Sequence, residues 1–189
     1  MNPKTPLLDE LDIAPMAPAD IEEILAIEHQ AFSNPWTRRA FLGALGPDSY
    51  ALVARYEGQV AGYGIAWIRP RELHIVNLAV HKDLRRKGIA SALIQRLLRV
   101  ARQKSLQRAV LEVRISNAPA AALYESHGFE RIALDRGYYL NPPEDAVVMM
   151  KDLRDDNGKG EPGRKLSDRR ISRSGPFWHR PWLWFRRLR

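Results

Sequence analysis

Six consecutive residues, Arg85, Arg86, Lys87, Gly88, Ile89 and Ala90, have the types a phosphate group needs. They stand between an apolar strand pattern, His74-Ile75-Val76-Asn77-Leu78-Ala79-Val80, and a strongly periodic helix pattern over 88–102. The first N–H groups of a helix lack intrahelical partners, and the macrodipole adds partial positive charge there. Gly88 carries no Cβ to hold a phosphate oxygen away from the backbone, and Arg85, Arg86 and Lys87 add charge. Taken alone, such a turn is either a phosphate cradle or a solvated basic cap. A second candidate is Glu112, between Leu111 and Val113 in another apolar strand pattern. Its side chain points away from both neighbours, and a carboxylate is costly to bury without a partner. It either pairs with Arg114, two residues on and on the same face, or serves as a general base. His74 and His127 are alternative bases, and Asn77 is a polar residue inside an apolar strand. No spacing of His, Asp and Glu suggests a metal site.

The elements that must position these residues follow from periodicity and breakers. A short strand is expected at 11–13. Ile21, Ile24, Leu25 and Ile27 repeat at helical spacing over 18–32, with Pro18 and Asp20 suited to a first turn. Pro35 breaks that helix, and a shorter one is expected over 37–45, ended by Gly46-Pro47. Strands at 50–56 and 59–68 are joined at Glu57-Gly58, and a third covers 73–80. After Gly88, the residues Ala90, Leu93, Ile94, Leu97, Leu98 and Ala101 make one apolar stripe. A strand at 109–115 then meets Ser116-Asn117, a helix cap signal, and Pro119 suits the first turn of the short helix that follows. Gly128 ends it. A strand from 129 runs to Gly137-Tyr138-Tyr139, and a loop at 141–145 precedes a last strand at 146–153.

Composition narrows the class. A chain of 189 residues, 45% hydrophobic and 28% charged, suits one globular domain with a sizeable core. The absence of cysteine excludes disulfides, thiol nucleophiles and thiolate metal sites. No apolar run reaches transmembrane length and the first residues lack signal-peptide order, so a cytoplasmic location is expected. The net charge of +8 is uneven. Residues 164–189 hold nine of the 30 Lys and Arg and one of the 22 Asp and Glu, which leaves residues 1–163 with no net charge. The basic pI of about 10 therefore describes a tail.

The order strand, basic glycine turn, helix, strand, short helix, strand carries specific strings. Beyond those above, they are Leu111-Glu112-Val113-Arg114-Ile115-Ser116-Asn117, Ala122-Leu123-Tyr124-Glu125, His127-Gly128-Phe129, Gly137-Tyr138-Tyr139 and Glu144-Asp145-Ala146. Over roughly residues 10–153 the chain resembles the GNAT superfamily of acetyltransferases, and within it the RimI-like N-terminal acetyltransferases. The resemblance implies an α/β fold, a central mixed and mostly antiparallel sheet flanked by helices. It implies acetyl-CoA as co-substrate and no metal. Arg85, Arg86, Lys87, Gly88, Ile89 and Ala90 would hold the coenzyme pyrophosphate, with Ala90 where the family often has Gly. Leu78, Ala79 and Val80 would run beside the pantetheine arm through backbone groups, and Asn117 would contact the coenzyme as well as cap its helix. Glu112 matches the family's general base. Tyr124 matches its general acid, against the plainer reading of a helix tyrosine packed on the sheet. The acceptor would lie between residues 32–36 and 137–145, where Glu144 or Asp145 could attract a cationic N-terminus.

The expected reaction is acetyl transfer to a protein N-terminus, with the N-terminal alanine of a small-subunit ribosomal protein implied by the resemblance. Alternatives are transfer to lysine or a small amine, or an idle fold with a binding tail. The expected organisation is an acetyltransferase domain over 1–154, a linker over 155–163 and a tail over 164–189. The tail interleaves nine cations with Phe177, Trp178, Trp182, Trp184 and Phe185. That mixture suits RNA or an anionic membrane surface, and the alternatives are a disordered extension without a specific partner or docking of the Trp cluster onto this or a second protein.

Overall fold

Apolar alternation and helical spacing resolve, in a computed structural model, into one seven-stranded sheet with helices on both faces. The structure describes residues 10–154. The expectations for the linker over 155–163, and for a tail that contacts RNA or membrane, lie outside the described residues. Among the described residues no helix is long and apolar enough to cross a membrane.

The strands are β1 (Asp12–Pro15), β2 (Ser49–Tyr56), β3 (Gln59–Arg69), β4 (Glu72–Val80), β5 (Arg108–Arg114), β6 (Glu130–Leu140) and β7 (Pro143–Asp152). The helices are α1 (Ile21–Ala31), α2 (Arg38–Gly43), α3 (Ile89–Gln103) and α4 (Ala118–Ser126). The sheet order is β1-β2-β3-β4-β5-β7-β6, antiparallel throughout except between β4 and β5. That mixed, mostly antiparallel sheet is the one expected. Two local expectations shift. Strand β7 begins at Pro143, so the expected loop over 141–145 is largely strand. Helix α1 is preceded by a separate 3-10 turn, Pro18–Asp20, because the Asp20 carboxylate accepts from the Ala17 amide at 2.8 Å and pairs with Arg55.

Helices α1 and α2 cover one face of the sheet. Ile21, Ile24, Ile27 and Phe41 pack there on Val53, Tyr63 and Ile65. Helices α3 and α4 cover the other, where Leu93, Ile94 and Leu97 meet Leu111, Val113, Tyr124 and Phe129. The apolar stripe of α3 is the predicted one, widened by Ile89 and Val100 and with Ala90 only half-buried. The central strand β3 carries a continuous buried run from Val60 to Ala66, as in a sheet covered on both sides, whereas β6 at the sheet edge is largely exposed.

Candidate active site

The parallel ladder between β4 and β5 is short. It pairs Glu72 with Arg108, Leu73 with Ala109, His74 with Val110 and Ile75 with Leu111, and stops there. Arg108 Nε also donates to the Glu72 carboxylate at 2.7 Å, pinning the closed end. Beyond Ile75, strand β4 remains paired to β3 through Val80, while β5 turns to β7 through Arg114. The two strands thus part in the middle of the sheet. Their separated backbones bound a cleft, with Leu78, Ala79 and Val80 on its β4 side.

Glu112 is the first residue of β5 past the last ladder pair. It stands at the point where the strands part, with its side chain only 7% exposed. Its partner is His74, not Arg114: His74 Nε2 and Glu112 Oε2 are 2.7 Å apart. His74 is itself held edge-on by its cross-strand neighbour Trp67, with ring centroids 6.0 Å apart. The alternative pairing of Glu112 with Arg114 is therefore absent. The Arg114 guanidinium reaches across to β7 instead, donating to Glu144 at 3.0 Å and to the carbonyls of Asn141 and Pro142. It also lies 3.9 Å above the Tyr139 ring. Residues 112 and 114 share a face, but separate partners divide them, which spacing alone does not reveal.

Tyr124 lies on the inner face of α4, packed edge-on against Phe129 at 5.7 Å. Burial, with a smaller push from Tyr139, raises its hydroxyl pKa well above the ordinary tyrosine value. It keeps its proton throughout the neutral range, so it acts as a donor there and not as an anion. Asn117 caps α4, its Oδ1 accepting from the Ala120 amide at 3.2 Å. Asn117 is exposed, three residues past the end of β5.

The basic turn takes the expected form with a division of labour among its residues. Arg86 and Gly88 both adopt left-handed backbone, at φ 64° and 86°. Gly88 is the N-cap of α3. The first amides of α3 that follow Gly88 have no intrahelical partner, and a helix start of that kind suits an anion. The Arg85 side chain folds back, its Nε donating to the Val80 carbonyl at 3.2 Å, and so ties the turn to the end of β4. Ile89 sends its side chain into the core, 1% exposed, and offers an anion only its amide. Arg86 and Lys87 stay exposed. Gly62 of β3 admits the last residues of β4 closely, since a Cβ there would stand 2.8 Å from the Ala79 carbonyl oxygen.

The two loops expected to border the acceptor meet each other. Residues 32–37 connect α1 and α2, and the β6–β7 hairpin meets that loop where Ser33 Oγ donates to the Asn141 carbonyl at 3.2 Å. Glu144 and Asp145, expected to attract a cation, both have protein partners: Glu144 ties the hairpin to the end of β5 and Asp145 bonds within the hairpin. Glu144 accepts from the Ser116 amide at 2.6 Å, and bonds to Ser116 and then Arg114 hold its pKa low. Asp145 accepts from the Gly137 amide at 2.8 Å. Trp36 is 2% exposed and packs on Phe41, so it is core and not acceptor surface.

Sequence reasoning missed Glu28. It falls on the buried side of α1, one helical step from Ile24, and is 1% exposed. The signal was present: a carboxylate interrupting an apolar stripe. Its oxygens accept from the Trp36 amide at 2.7 Å, from the Tyr63 hydroxyl, and from Asn77 Nδ2 at 3.2 and 3.3 Å. Of the two candidate histidines, His74 joins the site. His127, at the end of α4, bonds Ser91 Oγ of α3 at 2.8 Å. Burial first, then Lys151, lowers its pKa. A separate cavity of about 530 Å³ opens beside it, lined by Gln95, Arg99, Arg102 and Lys151 among others, and holds none of the cleft residues.

The comparisons with known proteins agree with this geometry. Residues 19–129 match the Acetyltransferase (GNAT) family. The [ribosomal protein bS18]-alanine N-acetyltransferase of Escherichia coli K12 is 32% identical over 139 residues, 72% of this chain and 94% of that protein. The N-alpha-acetyltransferase RimI of Mycobacterium tuberculosis is 33% identical over 154 residues, 78% of this chain and 96% of that protein. The crystal structure of the Escherichia coli ribosomal-protein-S18-alanine N-acetyltransferase superposes with a TM-score of 0.72 at 29% identity, covering 82% of this chain and 99% of that one. A parted β4–β5 pair, a glycine turn opening the next helix and this degree of likeness have one reading: the chain belongs to the GNAT family of acetyltransferases, and acetyl-CoA is its acyl donor.

Proposed function

We propose that the chain transfers acetyl from acetyl-CoA to the N-terminal α-amine of a protein, and that its acceptor is the N-terminal alanine of a small-subunit ribosomal protein. The observation that carries the reading is Glu112, a nearly buried carboxylate bonded to His74 where the strands part. The fit to the coenzyme rests on three features: the left-handed turn at Arg86 and Gly88, the free amides at the start of α3, and the β4 stretch over 78–80, which no strand pairs on the β5 side. The turn's N–H groups and the Arg86 and Lys87 side chains suit a pyrophosphate, the β4 edge suits the amide-bearing pantetheine arm, and Asn117 is the coenzyme contact that the family resemblance implies.

The chemistry asked of the residues is modest. The α-amine must be neutral to attack, and its reference pKa near ~8 against ~10.4 for lysine makes that about 3 kcal/mol easier at neutral pH. Glu112 takes the amine proton, directly or through one water, while His74 holds the carboxylate in orientation. The nitrogen–carbon bond forms and the carbon–sulfur bond breaks. Tyr124 gives its proton to the departing thiolate. The acceptor's first residues lie between the 32–37 loop and the β6–β7 hairpin, and the relatives from Escherichia coli, named as alanine N-acetyltransferases of a ribosomal protein, support the choice of acceptor.

Mass spectrometry tests the reading directly. The protein and acetyl-CoA are incubated with an alanine-first peptide that carries an internal lysine, with the same peptide blocked at its N-terminus, and with a polyamine. Acetyl on the free N-terminus alone is expected. Acetyl on the blocked peptide or on the polyamine moves the substrate to lysine or small amines.

A further inference from the structure

Glu28 interrupts an apolar stripe, and its three donors come from three different elements. The Trp36 amide belongs to the loop between α1 and α2, Tyr63 to β3 and Asn77 to β4. Tyr63 and Asn77 are also joined, the Tyr63 hydroxyl lying 3.3 Å from Asn77 Oδ1. All of these side chains are buried: Glu28 at 1%, Tyr63 at 0% and Asn77 at 4% exposure.

Asn77 meets this cluster because of a bulge. The β3–β4 register pairs Ile65 with Asn77 and Ala66 with Ile75, so Val76 is extra. An extra residue reverses the alternation of side chains beyond it. Ile75 faces the α3 side, whereas Asn77 is turned to α1. The next residue, Leu78, begins the cleft edge. One buried carboxylate therefore joins the backbone of the 32–37 loop to the strand that borders the cleft, one residue before the cleft begins. The loop's outer side is held by Ser33 on the β6–β7 hairpin.

We propose that Glu28 is a positioning residue: it sets the distance of the acceptor loop from the coenzyme strand, and so the depth at which an acceptor N-terminus meets the cleft. This rests on the reading of the 32–37 loop as a wall of the acceptor site. A leucine would fill the same space and hold the core. Only an acceptor of several hydrogen bonds fixes the Trp36 amide in one place relative to β4, because the bonds are directional and packing is not.

Glu28→Gln tests this. The amide keeps the volume but turns one acceptor oxygen into a donor, which faces the Trp36 amide or the Tyr63–Asn77 pair. The control is Ile24→Val, a nearby core change that lowers stability without touching the cluster. In the full-length protein Glu28→Gln is expected to raise KM for the alanine-first peptide by ~10-fold or more. The dissociation constant for acetyl-CoA should stay within about two-fold. Exchange of the Trp36 amide should speed by ~10-fold over the control. Tyr63→Phe removes a single donor and should move KM the same way by less, and it serves if Glu28→Gln does not fold. Peptide KM and Trp36 exchange that follow the Ile24→Val control overturn the proposal. A wild-type protein that acetylates no N-terminus sinks the proposed function instead, and amide exchange, which needs no acceptor, still decides whether Glu28 holds the loop.

Discussion

Glu112 and Tyr124 can each lose their proton chemistry with almost no change of shape. Glu112→Gln retains the contact with His74 but cannot take a proton. Tyr124→Phe retains the packing on Phe129. Each should lower kcat by ~10²-fold or more and leave acetyl-CoA affinity nearly unchanged. Wild-type turnover in both variants would dismiss the acid–base assignment. The pH profile adds a separate check. The α-amine must be deprotonated, so kcat/KM should rise with pH towards about 8. Tyr124 must stay protonated, and burial pushes its pKa up, so its loss falls beyond the alkaline end of the assay. A plateau to about pH 9.5 is expected. A fall below that pH, abolished in Tyr124→Phe, would show that the hydroxyl titrates earlier than its burial implies.

The start of α3 is the element on which coenzyme binding turns. Gly88 caps it at φ 86°, a backbone state that disfavours any residue with a Cβ. Gly88→Ala should cost about 1–2 kcal/mol. It should also weaken acetyl-CoA binding by ~10-fold, because relief of the strain reorients the free amides at the start of α3. Calorimetric titration with coenzyme A, alongside a melting curve, separates the two effects. An unchanged affinity would move the phosphate site away from this turn. The β4 strand contributes differently, through the register shift after Ile75. That single extra residue decides which face Asn77 joins, and so whether α1 and the cleft are connected.

At the scale of the molecule, charge and extent matter. Residues 1–163 carry no net charge, yet residues 82–104 hold eight cations and one acid. The basic turn and α3 thus present a positive flank that the zero sum conceals, and one that suits an anionic coenzyme. We propose that the catalytic unit ends near Arg154. Every buried core residue described lies between Met16 and Leu153, and the last backbone tie of the sheet is the Leu153 amide on the Gln107 carbonyl at 2.9 Å. A chain stopped after Arg154 should keep its melting temperature within a few degrees and acetylate the alanine-first peptide at the wild-type rate. Loss of folding or activity on truncation would assign residues 155–189 a part in the catalytic unit.

Sequence by itself determined what is local. The helix stripe at Leu93, Ile94 and Leu97, the caps at Asn117 and Gly88 and the basic turn all follow from spacing of a few residues, because periodicity and orphan amides act over one or two helical turns. The resemblance strings named Glu112 and Tyr124 for the same reason, as short runs of chain. Tertiary structure alone decided the partners. Glu112 found His74, 38 residues away, and Arg114 found Glu144, 30 residues away. Glu144 went to tying its hairpin to the end of β5, Asp145 to the Gly137 amide within that hairpin, and Trp36 to the core. Glu28 acquired its role from Trp36, Tyr63 and Asn77 together. A buried polar group must be satisfied by whatever the fold brings near it. Which groups those are depends on strand order, on where the β4–β5 ladder stops and on one bulge, and none of these has a period that the chain displays.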